Sequence, residues 1–380
     1  MLVRAFLALI VLVFIIGYFD IPIWPKSKWG FIDRRGNLVI PANFDRVQGI
    51  GKGNLVYTCE PQQSFHQGLA AVAIGDLWGF IDKGGKIVIK PQFDAVGDFS
   101  EGLACVQSHD RCGFIDHSGK LVIALQYSPH ALNCKWMIFK DGLAAVELDN
   151  HSMGFINKSG KYVVKPELRY AWPFSEGRAI VFRRSGTETA LIDTSGKIVF
   201  GPQGARLEGK FSDGLVLVRK QTAQQWPNQP CWYVDGTGKQ MTKELTGRAY
   251  DFSEGLAAIN LGTDKYGYIN RKGDVVIKLD FDKAGDFHEG LAAVGIQHPD
   301  KDSAYRYKWG YIDKTGAWVV PPQYDDAGTF SAGLATVRLN SNPNGLYTSK
   351  EGCIDKHGNI VIPIKYGSVF PFSEGLAAVQ

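Results

Sequence analysis

Three sets of residues have types and spacings that could carry chemistry. His109-Asp110 stands two positions before Cys112, and an imidazole near a thiol can activate a nucleophile. The sequence supplies neither an orienting partner for that imidazole nor an oxyanion site, so no catalytic role is expected for it. A second set is the carboxylates that recur in Asp82-Lys83-Gly84-Gly85-Lys86, Asp116-His117-Ser118-Gly119-Lys120 and Asp313-Lys314-Thr315-Gly316-Ala317. Calcium takes roughly six to eight oxygens, whereas each stretch offers one Asp, replaced by Asn157 and Asn270 in two copies. An Asp that bonds the backbone two residues on, followed by a Gly with positive φ, instead describes a hairpin turn. The third set is the six cysteines, an even number that fits an oxidising compartment. Cys105 and Cys112 stand on either side of a tight connection as a candidate disulfide, or as two small half-buried hydrophobes. The eight histidines show no metal-ligand spacing, and no nucleophile elbow, phosphate loop or dinucleotide fingerprint occurs. The expectation is a non-enzymatic protein without catalytic residues, metal or cofactor.

A chain of 380 residues with 45% apolar content is long enough to bury a sizeable core. Its 42 basic and 38 acidic residues are intermixed and sum to +4, so no basic face is advertised and nucleic acid is not an expected partner. Residues 5–19 are almost continuously apolar, preceded by Arg4 and followed by Asp20, Pro22 and Pro25. With no small-residue cleavage site before Asp20, an uncleaved membrane anchor is favoured over a cleaved signal peptide. The expected division is 1–25 for anchor or signal segment with a short linker and 26–380 for the folded domain. Lys26, Lys28, Arg34 and Arg35 taken alone would hold that domain in the cytoplasm; the short charged start of the chain and the cysteine pair favour the opposite side.

The elements that must position any site are repeats. Trp29-Gly30-Phe31-Ile32-Asp33 recurs at Gly79, Gly113, Gly154, Ala190, Trp232, Gly267, Gly310 and Gly352, and Gly68-Leu69-Ala70-Ala71-Val72 alternates with it, giving nine copies of each. Within one unit, short β-branched or aromatic runs separated by Gly, Pro and Asp read as strands, and nothing reads as helix. In the Trp-Gly strand the Phe position and the Ile position are both apolar, which requires cover on both faces. Small residues such as Ala70-Ala71 and Ala292-Ala293 allow close approach of neighbouring backbones, and Gly30, Gly79 and Gly310 mark close approach of another element. The chain starts with the second and third strands of a unit and ends on a first strand, Gly375 to Gln380, so joining the ends completes one unit and hides both edges. The predicted fold is all-β: about nine short antiparallel sheet units in a propeller-like ring closed by N- and C-terminal strands, with an open superhelical β-solenoid as the alternative.

With their Gly-Lys turns, Pro-Gln-Phe-Asp strands and Phe-Ser-Glu-Gly-Leu-Ala-Ala-Val links, these repeats resemble the bacterial WG-repeat family, also called KWG repeats, over about Lys28 to Gln380. The resemblance implies a β-rich repeat protein, found in bacteria, often with a targeting segment, and it carries no catalytic residues. Departures stand at Cys112, Met153, Thr189, Cys231, Tyr266 and Glu351 in place of Trp, and at Ala190 and Trp232 in place of Gly. With the apolar segment, the short charged start and the cysteine pair, the expected location is the bacterial inner membrane with the repeats on the extracytoplasmic, periplasmic side, the cytoplasmic face or secretion after cleavage being the alternatives.

Function is expected in the loops that interrupt the repeats. Three connections between first and second strands are long, Arg219 to Pro230, Gly295 to Lys308 and Arg338 to Lys350, and equivalent connections emerge on one face. Trp226, His298, Tyr305, Arg306, Tyr307, Asn340 and Tyr347 are the candidate binding face, suited to a protein partner, with a glycan as the alternative and a hydrolase site composed from several repeats as the third reading. The insertions Arg46 to Gln67 and Ser128 to Asp141 fall on another connection and are expected on the opposite side.

Overall fold

The computed structural model describes residues 28–47, 65–129, 136–184, 188–222, 229–299, 306–340 and 349–380. The apolar segment 5–19, and residues 48–64 and 130–135 of the insertions 46–67 and 128–141, lie outside the described residues. Among the described residues all regular structure is β, in 33 strands that form eight antiparallel sheets, and no helix is long and apolar enough to cross a membrane.

Most repeats follow one plan, although among the described residues no lead strand pairs with Leu143–Glu147 or Leu376–Val379. In the third, a short lead strand Ala95–Val96 pairs with the Gly-Leu-Ala strand Ala104–Ser108, which pairs with the WG strand Arg111–Ile115, which pairs with an edge strand Leu121–Tyr127. The Trp-less repeats keep the WG strand: Cys112, Met153, Thr189, Cys231, Tyr266 and Glu351 all lie in it. The WG strand is buried on both faces, with Trp29, Phe31 and Ile32 at most 2% exposed. Its aromatic turns toward the next repeat and meets the Phe of that repeat's Phe-Ser-Glu link edge to face, as Phe80 meets Phe99 at 4.9 Å and Tyr311 meets Phe330 at 4.8 Å. Where Phe becomes Tyr, the hydroxyl donates to a backbone carbonyl 17 residues on, at Gly285 from Tyr268 and at Gly328 from Tyr311. Ile81 turns the other way and joins Phe31 and Phe65 in the cluster shared with the preceding repeat. The edge strands, by contrast, leave apolar pairs such as Leu38-Val39, Ile87-Val88 and Val275-Val276 exposed, so cover on both faces belongs to the WG strand and not to the whole sheet.

The recurring Gly serves a bulge. A Cβ on Gly79 would lie 2.3 Å from the Ile89 carbonyl oxygen and 2.6 Å from Pro91 N, because the edge strand kinks over it at the proline. In the two repeats that lack this Gly, the edge strands shrink to Ile198–Phe200 and Leu245–Thr246. The turns are of the expected type. Asp82 Oδ1 accepts the N–H groups of Gly84 and Lys86, both at 2.9 Å, and Gly85 takes φ 83°. Hydrogen bonds from Asn37 and Ser118 side chains hold the Asp33 and Asp116 carboxyls below the usual carboxylate range.

The ring is closed by the chain ends. Leu376–Val379 pairs with Trp29–Asp33, Gly30 opposite Val379 and Asp33 opposite Leu376, in the sheet that also holds Leu38–Phe44. The expected count of nine sheets is corrected to eight, because one six-stranded sheet holds two of the nine repeats. The difference is local. After four edge strands an Asp follows whose carboxylate caps the next hairpin: Asp45 accepts Gly75 N–H, Asp94 accepts His109 N–H, Asp282 accepts Gln297 N–H and Asp325 accepts Asn340 N–H, while Ser128 and Gly367 stand at that place after two others. Arg169 occupies the corresponding place, where Tyr162–Ala171 runs on unbroken and Leu168 pairs with both Met153 and Arg183. Three of these aspartates pair with a Lys directly before the repeat's Trp position: Lys28 with Asp45 at 2.6 Å, Lys265 with Asp282 at 2.9 Å and Lys308 with Asp325 at 2.7 Å.

A second closure device joins the repeats through their links. Nine non-glycine residues, among them Gln67, Glu101, Glu254 and Glu374, adopt φ near 50° one position before the Gly of the Gly-Leu-Ala strand. Such a conformation costs roughly 1–2 kcal/mol per residue. Eight of the nine recover it by accepting the N–H of the equivalent Gly one repeat on, from Gly102 to Gln67 at 2.8 Å through to Gly68 to Glu374 at 3.0 Å across the junction of the chain ends. Lys83 adds a 2.9 Å ion pair to Glu374, and Lys158, Lys314 and Lys356 do the same for Glu101, Glu254 and Glu289. Burial alone would raise the Glu254 and Glu374 carboxyls, but these cations and N–H groups outweigh it and lower them. The exception is Ala332, beside which Arg34 Nη2 lies 3.0 Å from the place a Cβ on Gly333 would take. Ala332→Glu is therefore expected to stabilise the fold by about 1 kcal/mol, the net worth of a charge-assisted hydrogen bond to Gly375 N–H plus a pair with Arg34. Urea denaturation of the two proteins measures this, and an unchanged or lower midpoint would refute it.

Candidate functional site

The features first considered for chemistry are not assembled. Cys112 is fully buried opposite Gln107, whereas His109 is exposed in a tight turn at φ 49° with its Nδ1 at 2.9 Å from Ser108 Oγ. The candidate disulfide between Cys105 and Cys112 is not formed. Cys105 stands opposite Phe114, so the two cysteines are diagonal neighbours, which places their Cα atoms about 7–8 Å apart, beyond bonding reach. Cys105 Sγ instead lies 3.8 Å from Met137 Sδ. Burial raises the Cys231 thiol and pushes Cys353 up to about 12, far from thiolate chemistry.

The candidate binding residues divide differently. Trp226, Tyr305 and Tyr347 lie outside the described residues. Asn340 caps the ninth repeat's hairpin through Asp325, and His298 donates its N–H to the Arg306 carbonyl at 2.9 Å, closing the base of the eighth repeat's long loop. Arg306 and Tyr307, from the same hairpin, meet residues of the seventh repeat around a cavity of about 580 Å³. Its walls are polar. Arg248 comes from the lead strand Arg248–Ala249, Asn260 and Tyr266 from the two ends of the next hairpin, Thr263 and Asp264 from its turn, and Lys283 from the start of the eighth repeat's lead strand Lys283–His288.

The electrostatics follow from that placement. Lys283 Nζ sits 5.2 Å from the centre of the Tyr307 ring, a cation–π contact. Asp282 is neutralised in place, one oxygen on Lys265 at 2.9 Å and the other on Gln297 N–H at 2.8 Å. The Tyr250 and Tyr266 hydroxyls are 3.5 Å apart. Burial opposes ionisation of Tyr266, but hydrogen bonds with Tyr250 and Arg248 and the charges of Arg248 and Lys283 outweigh it, so its pKa falls below the usual phenol value. Burial pushes Tyr250 the other way, to about 12. Sequence reasoning found Arg306 and Tyr307 from loop length and missed Arg248, Tyr266 and Lys283. The signal lay in the departures: this repeat exchanges the customary Trp for Tyr266, and Lys283 follows the edge strand's Phe281-Asp282 directly.

The fold and this face define a closed β-propeller whose variable part is its loops. The chain belongs to the family of WG containing repeat proteins, whose model matches residues 29–57, 78–112, 113–128, 153–183, 266–296, 309–342 and 352–380, more than half of the sequence. No curated protein sequence matches it. Among solved structures it is similar to one described as a eukaryotic initiation factor, with TM-score 0.56 and 12% identity over 88% of this chain and 95% of that one, which supports the propeller fold alone. BamB from Moraxella catarrhalis matches at TM-score 0.40 and 11% identity over 83% of this chain and 94% of that one, and the designed protein Ika8 at 0.42 and 10% over 79% and 96%.

Proposed function

We propose that this protein is a non-enzymatic scaffold, held at the membrane by residues 5–19 with its repeats on the extracytoplasmic side, that binds a protein partner through the loop-rich face of the seventh and eighth repeats. The observation that carries the reading is the meeting of Arg248, Lys283, Arg306 and Tyr307 around one open cavity, on the face where the long hairpin connections emerge. Arg and Tyr are the residue types that most often anchor interfaces, and the rest of the repeat is committed to framework. Anchoring rests on the sequence of 5–19 and is tested by reporter fusions after Gln380 combined with membrane fractionation.

Partner binding is tested by replacing 299–305 with a short Gly-Ser linker and comparing cross-linked partners with those of the unaltered chain. Loss of one defined partner with an unchanged melting curve supports the scaffold. An unchanged set of partners refutes it, and retention on peptidoglycan by both proteins would move the assignment to glycan binding.

A further inference from the structure

We infer that the cavity between the seventh and eighth repeats receives a carboxylate side chain from an acidic segment of the partner. The inference rests on the scaffold reading and specifies what that face recognises.

Charge is the first argument. Arg248, Lys283 and Arg306 bring three cations to the walls against Asp264 and Asp282. Asp282 is already satisfied by Lys265 and by Gln297 N–H, so it does not compete for what enters. Asp264 is exposed in a hairpin turn, which leaves the cavity with a surplus of positive charge. The lowered pKa of Tyr266 reports the same field from inside the wall. A planar guanidinium paired with a carboxylate in two parallel hydrogen bonds gains both strength and orientation, and Lys283 supplies a third donor beside it.

The second argument separates a peptide from a sugar. A pyranose ring binds by laying its C–H face on an open aromatic ring, and the cavity offers little of that surface. Tyr266 is only 7% exposed, and Lys283 lies over the Tyr307 ring. Asn260 and Thr263 in the lining are short polar side chains suited to peptide amides at the rim. The mouth is open between two hairpins, so an extended acidic segment could lie across it with one side chain inside.

The test uses the full chain in detergent and two fluorescein-labelled decapeptides, one of alternating Glu and Ser and one of alternating Gln and Ser, read by fluorescence anisotropy at low and moderate salt. The Glu peptide is expected to bind and the Gln peptide not to. Lys283→Gln with Arg306→Gln is expected to weaken the Glu peptide at least tenfold. Lys86→Gln with Lys120→Gln, which removes the same charge elsewhere on the ring, is expected to leave it unchanged. Arg306 is exposed, so Arg306→Ala alone provides a pocket variant that folds if the double variant does not. Equal weakening in both pairs of variants would mean binding of any polyanion and would overturn the inference. So would no binding at millimolar peptide, or oligogalacturonate competing more strongly than the Glu peptide, which would place the carboxylate on a glycan. If the linker replacement of 299–305 loses the partner but the Lys283/Arg306 variant keeps it, the carboxylate pocket fails and the scaffold stands; if neither change affects the partner, the scaffold reading fails as well.

Discussion

Removing Gly375–Gln380 is expected to abolish the cooperative unfolding transition at physiological temperature. The deletion takes away four strand residues, Leu376 to Val379, each at most 7% exposed, and the whole ladder opposite Gly30 to Asp33. Burying Leu or Val contributes roughly 1.5–3 kcal/mol each, and the two alanines add less, so direct burial alone comes to about 5 kcal/mol. That equals the lower end of typical domain stability. The geometry adds to it, because Glu374, held by Lys83 and by Gly68 N–H, then has no strand behind it, and Trp29–Asp33 becomes an apolar edge open to other chains. Circular dichroism melting and size-exclusion chromatography measure the outcome. A truncated protein that melts within a few degrees of the full chain, as a monomer, would show that closure contributes nothing.

Asp251→Asn is expected to stabilise the protein near neutral pH and to do almost nothing in acid. Asp251 precedes Phe252 in its link, as Lys210 precedes Phe211 and Asp286 precedes Phe287, so three successive repeats bring these groups together. Burial raises its pKa to about 6, with Asp286 adding to the shift while Lys210, by its backbone N–H at 3.2 Å and its charge, opposes it. Asp286 is also raised, by burial, against the opposing charges of His288 and Lys210. A carboxyl whose folded pKa is above its unfolded one binds protons more tightly when folded. Stability is then greatest below about pH 4 and falls as pH rises toward 6. At pH 7 the full penalty for Asp251 is about 3 kcal/mol, an upper bound on the gain from Asn, which keeps an acceptor for Lys210 N–H. Denaturant midpoints at pH 4, 5.5 and 7 measure it; a gain independent of pH would assign the effect to packing.

Much of the framework was legible because each recurring residue type answers to one local requirement. Asp and Gly in the turns, the apolar pair in the WG strand, and the incomplete units at the two ends led to hairpins, to cover on both strand faces and to closure, all of which the structure contains. The sheet count was not legible, since it depends on one edge strand, Tyr162–Ala171, running on to pair with two repeats, and nothing in the motif marks that strand as different from the others. The link Phe-Ser-Glu-Gly was visible as a pattern, but its role was not. The Glu is conformationally unfavourable by itself and is explained only by a Gly N–H about forty residues away, as for Glu101 and Gly142. The lysine before the Trp position was equally opaque until its partner, the Asp 17 residues on, appeared beside it. The cysteine pair misled for a similar reason: sequence proximity suggested contact, and register placed the two on a diagonal. The cavity was half legible, because loop length exposes Arg306 and Tyr307, whereas Arg248 and Lys283 come from framework positions that only the ring brings together.

Closure of the ring by the chain ends is what positions every loop on its face, and hydrogen exchange read by mass spectrometry on the C-terminal peptide tests it most directly. Terminal strands that are not tied down exchange within seconds. If Leu376–Val379 completes the first sheet, the amides of Ala377 and Val379 will exchange as slowly as those of the central strands Ala104–Ser108 and Arg111–Ile115. Full exchange of that peptide within seconds, with the central strands still protected, would contradict a closed ring.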